Sequence, residues 1–503
     1  MTTSRYELTG RLRFTSAYHS RGTQHEAGYD APLLRDGSGR LIVAGRSLAG
    51  VLRAWATTVL DDDAITDVFG GIDAGASRVT IDDVVLTNAD VSLRDGVAID
   101  RYSGSAADRM KFDRWVVLPG AGGDFRLVCD LPTDDEYSRR VLDECARALK
   151  AGDLSVGGLV SRGHGSIVLD EPKLTKFSGR RGVLSRLDST RAGETVGIDE
   201  ASAARSPELR PLRLMVGLSQ RGPVYAQDRR PHAVMDSLPL VERVKDTARL
   251  IIPATGVKGV LRSECERIVR TISGEASNPG ASEPFRERDF LDQIDVDIVR
   301  ELFGTAAGKP TAARGLIRVG DLRSATIGPW AEWERVVSFD PTEADEPEET
   351  KKLRQAGEFR AALSNSPFKA WRAADHVAID RWTGGASDGL LFNNLEPYGV
   401  VWDSLELRIQ RTETGNAPRL ALLLMALQSL HAGRIGFGFG FNRGYGRMAV
   451  TFLTVEGGEG FGIADGDYKV NGSSLYDALE GRADGAKAEW VEWCTSMSPG
   501  GQR

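Results

Sequence analysis

Cysteine is scarce in this chain. The four in 503 residues (Cys129, Cys145, Cys265, Cys494) stand far apart with no CxxC pair. That argues against a disulfide framework and against a cysteine zinc site, and it suits a reducing, cytoplasmic setting. The six histidines are equally scattered. No run of about 18 apolar residues occurs, so no membrane span is expected. The opening MTTSRYELTG lacks the apolar segment of a secretory signal. Positive charge is short as well: 64 Lys and Arg against 71 Asp and Glu leave a net charge of −7. This excludes a uniformly basic binder of nucleic acid but permits a local basic groove. Arginine far outnumbers lysine, and the acids gather in blocks at residues 61–63, 342–350 and after Glu456.

What the chain does have is repetition. Residues 28–53, GYDAPLLRDGSGRLIVAGRSLAGVLR, return as residues 234–262, VMDSLPLVERVKDTARLIIPATGVKGVLR. Each copy places an aspartate, Asp30 or Asp236, before a short apolar run with a proline. A strand then climbs into a small-residue turn, and a helix opens with Gly-Val-Leu-Arg. IDRxxGxA occurs at residues 99–106 and 379–386, and a glycine loop ending Arg-Gly-x-Gly at 157–165 and 438–446. Repetition at this scale outranks any local reading. The apolar spacing predicts strand, helix over 48–60 with Ser47 as its cap, strands, helix over 135–150, glycine loop and strand. That order belongs to a ferredoxin-like or RRM-like α+β unit, here written twice. The expected layout is a first domain over 1–170, a linker over 171–207, a second domain over 208–456 with insertions near 274–288 and 330–370, and a C-terminal extension over 457–503.

The motifs have plain and chemical readings. Glycines at Gly157, Gly158, Gly163, Gly438 and Gly444 serve tight turns. They also bring backbone N–H groups close to an anion, and Arg162 and Arg443 recur beside them, which turn geometry does not require. The helix starts carry Arg46, Ser47 and Arg53 in one copy and Thr255, Lys258 and Arg262 in the other. There, oriented N–H groups and positive charge suit a phosphate as well as simple capping. Arg101 and Arg381 are surface ion-pair partners or phosphate contacts, with Tyr102 and Trp382 placed to stack on bases. Residues 304–311 mimic a phosphate loop, but their spacing is short and Pro310 interrupts it. Asp30 and Asp236 follow Arg21-Gly22 and Arg221-Gly222. A carboxylate among phosphate-binding groups repels the ligand unless it has a chemical task, such as holding a divalent metal or orienting a ribose 2′-OH. No second carboxylate or histidine cluster accompanies either one, so a full two-metal centre is not expected.

Taken in order, these segments resemble the RAMP-superfamily backbone subunits of type III CRISPR-Cas effector complexes. The fused pair is similar to the tandem, subtype III-D-like form. The resemblance implies two RRM-like (RAMP) domains with glycine-rich loops and β-hairpin thumbs, the thumbs expected after Ala106 and Ala386. It implies guide RNA and target RNA as partners, together with other RAMP and small subunits of the complex. It also implies metal-dependent cleavage of guide-paired target RNA, with Mg the expected ion and Asp30 and Asp236 as the catalytic and metal-holding residues. Family members carry a histidine in the first loop; His19 matches it, and Ser219 stands at the place read as its equivalent. Guide contacts are expected at His19, Arg21, Arg221 and the helix-start, thumb and glycine-loop residues named above. Carboxylates, with a reference pKa of about 3.9, are poor bases at neutral pH, so metal binding and positioning are the expected contributions. A non-catalytic guide scaffold and a guide-precursor processing ribonuclease remain as alternatives.

Overall fold

The computed structural model describes residues 3–22, 32–60, 62–72, 75–133, 135–179, 193–198, 211–228, 230, 232–274, 290–305, 313–341, 347–472 and 474–497. The chain divides into two compact units, one of Met1–Asp100 and Gly104–Arg210, the other of Arg101–Ser103 and Pro211–Arg503.

In the first unit, Thr3–Phe14 is the central strand because it alternates. Tyr6, Leu8, Leu12 and Phe14 are buried on one face, and the residues between them face outward. It pairs antiparallel with Gly122–Pro132 on one side and Ile167–Phe177 on the other, and Val79–Ile81 pairs beyond Gly122–Pro132. Numbered by their order in the chain, these four strands lie 4-1-3-2 across the sheet, the ferredoxin-like arrangement expected. Helices Gly45–Ala56 and Glu136–Ala151 put Leu48, Leu52, Val141, Leu142, Cys145 and Leu149 into the same core. Asp135 caps the second helix through the Ser138 N–H at 2.9 Å, and left-handed Gly152 ends it.

The second unit repeats the order. Met448–Glu456, Leu212–Gln220, Leu405–Ile409 and Ile317–Val319 lie in the same 4-1-3-2 sequence, with helices Ala254–Ser273 and Asn416–His431. Asn416–His431 is buried almost all round, because helix Asp484–Met497 and the segment before it cover its outer side. The C-terminal extension is thus part of this domain: Phe461, Leu475, Leu479 and Ala486 are buried in its core, and Trp490 and Trp493 stack against each other at 4.9 Å.

Four expectations change in detail. The thumbs do not follow Ala106 and Ala386 but straddle them. Val91–Ile99 pairs with Ala106–Val117, and Arg372–Ile379 with Ala386–Glu396, so IDRxxGxA forms the tip of each two-stranded hairpin. The first helix opens at Gly45 rather than after Ser47, because Asp83 Oδ1 takes the Gly45 N–H at 2.7 Å and moves the cap upstream. Part of the expected linker is sheet: Ile167–Phe177 runs into it, and Glu194–Val196 adds an edge strand. The second insertion, polar in composition, contains helices Trp330–Val337 and Glu348–Ser364. Trp333 is fully buried against Phe368 and Trp371, at 5.4 and 5.7 Å between ring centres. The 274–288 insertion and the acidic stretch 342–346 lie almost wholly outside the described residues.

Both glycine loops are explained first by packing. Gly165 has φ +78°, and a Cβ there would sit 1.9 Å from the Val156 carbonyl oxygen; at Gly438 (φ +90°) it would sit 2.2 Å from that of Tyr225. The Gly165→Ala change therefore combines left-handed strain with a backbone clash. It is expected to cost the first domain about 3 kcal/mol, read as a lowered unfolding midpoint with the second domain's transition unmoved.

Candidate functional site

Asp236 is exposed, yet the loop that carries it is held from two sides. Its N–H donates to Asn393 Oδ1 at 2.7 Å, and Asn393 returns its own backbone N–H to Asp236 Oδ2 at 2.8 Å. Asn393 Nδ2 also donates to the Val234 carbonyl at 2.9 Å. On the other side, His232 Nδ1 accepts the N–H groups of Val234 and Met235 at 3.1 and 3.0 Å, while Nε2 donates to Val336 O at 2.9 Å. That pattern requires a neutral imidazole protonated on Nε2. Burial holds the His232 pKa below its usual value, against a smaller raising effect of the Val336 bond. The folded state thus favours neutral His232. The anchor is complete above the ordinary histidine value of about 6.5 and is lost as pH falls through the lowered folded value.

Asp30 lies outside the described residues, but the backbone on either side of it sets its place in the chain. Leu34 N–H bonds to Ser20 O, and Leu240 N–H to Ala226 O; Arg21 bridges Leu33 as Gln227 pairs with Pro239. Both pairs of anchors have the same spacing in sequence, and Asp30 and Asp236 each precede the second anchor by the same count. The same ladder corrects two equivalences. Gly158 N–H bonds to His19 O, and Phe439 N–H to Tyr225 O, so His19 corresponds to Tyr225 and not to Ser219. Arg221 donates its N–H to Arg447 O as Thr15 does to Ser166 O, so Arg221 corresponds to Thr15, and Arg21 to Gln227. His19 is a packing residue: it is 5% exposed, with Nδ1 2.8 Å from the Trp115 carbonyl, and burial lowers its pKa.

The candidate RNA-binding residues divide by availability. Arg46 and Arg53 are exposed and Ser47 and Thr255 half-buried, whereas Lys258 lies on a buried helix face. Arg262 is an internal tether: it pairs with Glu266 at 2.7 Å and donates to the carbonyls of Gly304 and Ile294. The helix N-termini are partly filled by the protein's own carboxylates, Asp83 on Gly45 N–H and Asp321 on Ala254 N–H at 2.8 Å. Several glycine-loop donors are spent inside the fold. Gly158 serves His19 O and Gly163 serves Val160 O, Gly444 serves Phe441 O, and Gly165 and Gly446 serve Ala17 O and Pro223 O. Arg162 is half-buried; Arg443 is exposed, with its guanidinium over Phe392 at 4.4 Å and Phe439 at 5.6 Å. Arg101 and Arg381 occupy the thumb tips. There Asp380 Oδ1 accepts from Trp382 N and Thr383 N, which holds its pKa low, with the Thr383 bond the leading cause, and leaves Trp382 95% exposed. The sheet face opposite the helices, where RRM domains stack bases, carries ion pairs in the first domain: Arg5–Asp130, Arg13–Asp170 and Arg126–Asp82.

Sequence reasoning missed a polar cluster at the base of the second thumb. Glu396, 3% exposed, accepts O–H bonds from Tyr445 and, at 3.0 Å, from Tyr398; His376 Nε2 lies 2.9 Å from Tyr445 Oη and 3.3 Å from Glu396 Oε1. His376 and Tyr445 are 69 residues apart, and no spacing signal joins them.

Among the described residues no three His, Cys, Asp or Glu side chains gather as metal ligands. Asp236, exposed and with one oxygen committed to Asn393, fits a Mg²⁺ shared with RNA phosphates and water rather than a closed protein cage.

No curated protein matches the chain. The model of the RAMP superfamily matches it twice, over residues 11–168 and 239–449. The first match takes in Asp30 and the first thumb; the second begins just after Asp236 and ends in strand Met448–Glu456. With both repeated halves covered, and most of its length with them, this chain belongs to the RAMP superfamily.

Proposed function

We propose that the chain is a guide-RNA-binding backbone subunit of a type III CRISPR effector complex that cleaves guide-paired target RNA once in each domain. RAMP membership supports a CRISPR-associated RNA-binding subunit in general. The single observation that carries the cleavage reading is the Asp236 loop. A solvent-facing carboxylate is held on the base of a protruding hairpin by reciprocal bonds with Asn393, and the matching loop carries Asp30. A carboxylate fixed this firmly yet exposed is positioned for a ligand.

Guide binding is sequence-blind in this reading, through phosphates and 2′-OH groups, because base pairing reads the target. Arg46, Arg53, Arg443 and the thumb-tip Arg381 with Trp382 are the available groups. When bound, a divalent metal at Asp30 or Asp236 supplies charge neutralisation on the scissile phosphate. The protein's own part is to hold the carboxylate, with Asn393 and His232 fixing the loop. The thumb base fixes where the target backbone passes and so favours in-line attack of the 2′-oxygen on phosphorus. A processing ribonuclease centred on His19 is disfavoured by that residue's burial and its bond to Trp115 O.

In the assembled complex, Asp30→Ala and Asp236→Ala are each expected to remove one distinct target cut by about 100-fold or more, and the double variant both; unchanged cleavage in both single variants refutes the reading. For guide binding, Arg53→Ala is expected to weaken affinity and shallow the log–log salt slope by about 0.7 with no change in unfolding midpoint. Arg262→Ala does the reverse, with a stability loss of about 3 kcal/mol.

A further inference from the structure

We infer that His376 is the proton donor to the leaving 5′-oxygen at the second-domain cut, and that the first thumb carries no counterpart of it at the same position; this rests on the cleavage reading above. The argument begins with proton count. Tyr445 has one O–H, and Glu396 takes it; the contact between Tyr445 Oη and His376 Nε2 at 2.9 Å therefore needs a hydrogen on Nε2. Glu396, buried and also receiving Tyr398 O–H, has its carboxylate 3.3 Å from that same nitrogen. The ring is clamped further by stacking on Phe392 at 5.1 Å with 19° between planes, and Phe392 carries Arg443 over its ring. One nitrogen is thus tied into the protein, and Nδ1 has no hydrogen-bond partner among the described residues. A carboxylate-backed imidazole with its second nitrogen turned away from its anchor has the construction of a general acid or base.

Placement decides the role. His376 pairs with Phe392 across the hairpin, and the next pair is Asp375 with Asn393, the residue that clamps Asp236. The histidine and the candidate catalytic loop therefore meet the same few residues of thumb strand, and the side chain of His376 is 28% exposed there. The titratable groups in contact with the ring are Glu396 from its own hairpin and Tyr445 from the glycine loop; Tyr398 bonds the other oxygen of Glu396, and Arg443 lies over Phe392. Neighbouring Asp375 is taken by Arg360 at 2.7 Å. Donation from Nδ1 requires the ring to carry both protons, and Glu396 lies 3.3 Å from the other nitrogen, on the side away from the departing oxygen. In the step, the 2′-oxygen bonds to phosphorus as it gives its proton to water, and the bond from phosphorus to the 5′-oxygen breaks. The departing oxygen takes the Nδ1 proton, leaving a 2′,3′-cyclic phosphate and a 5′-hydroxyl, and solvent reprotonates His376. In the first thumb the place of His376 is held by Gly96, which pairs with Phe112, and that of Glu396 by Val116, which pairs with Ser92, so neither the imidazole nor its carboxylate has a counterpart on that hairpin.

The test uses the full chain in its complex, with Asp236→Ala as reference and two targets: ordinary RNA, and RNA carrying a 5′-sulfur at the second scissile position, whose thiolate leaves without protonation. His376→Gln keeps an amide N–H for Tyr445 and Glu396. It is expected to slow the second cut of ordinary RNA about 100-fold with target affinity and the first cut unchanged, and to cut the sulfur-linked target at the wild-type rate. Undiminished cutting of ordinary RNA, or a defect that persists with sulfur, overturns the assignment while Asp236→Ala still removes the second cut. If Asp236→Ala leaves that cut in place, the cleavage reading fails and takes this inference with it.

Discussion

Everything at the candidate site depends on one close approach of backbone to backbone. In each domain the loop after the first strand lies directly on the glycine loop before the last. Gly165 N–H reaches Ala17 O at 2.7 Å, and Gly446 N–H reaches Pro223 O at 2.8 Å. A Cβ on Gly157 or Gly438 would stand 2.5 or 2.2 Å from the carbonyl oxygen of His19 or Tyr225 in the facing loop. The thumb base joins the same junction through paired bonds of Tyr18 and Val117 in the first domain, and through Tyr445 with His376 and Glu396 in the second. Three segments distant in sequence thereby share one small volume, and the aspartate loop continues directly from one of them. The glycines are required by that contact before any phosphate is considered. Their recurrence alone was never an argument for a ligand.

The broad architecture was legible in the sequence because a duplicated chain supplies its own control. Strand and helix patterns that would be ambiguous once became firm when written twice at a near-constant offset. The matching places of Asp30 and Asp236 in the sequence were legible for the same reason. The equivalence of the first loops was not. His19-Ser-Arg-Gly and Ser219-Gln-Arg-Gly look alike, but the ladder places them six residues out of register, and only hydrogen bonds across the sheet reveal this. Turn residues recur for local reasons, so similar turns need not occupy equivalent places.

What sequence reading missed shares a second cause. Asn393, His232 and the His376–Glu396–Tyr445 group act through contacts between segments far apart in the chain, which carry no period and no spacing. The insertion holding Val336 read as polar, since its charged residues dominate the count. Its aromatic residues fold inward, and its backbone steadies His232 and hence the Asp236 loop. The residues that support the Asp236 loop are not repeated in the first copy, where Asp113 stands at the place of Asn393, so a single site description does not serve both.

The short strands at the rim of each sheet carry one further consequence. Glu194–Val196 and Gly466–Lys469 lie outside the fourth strand of their sheets, three and four residues long, with Glu194, Asp467 and Lys469 among their members. An open fourth strand of nine to eleven residues would be a template on which another chain could add itself by main-chain pairing. A brief, charged border strand blunts that template. Growth of either sheet by strand addition is thereby checked on this side, which guards a crowded, repetitive chain against pairing with copies of itself.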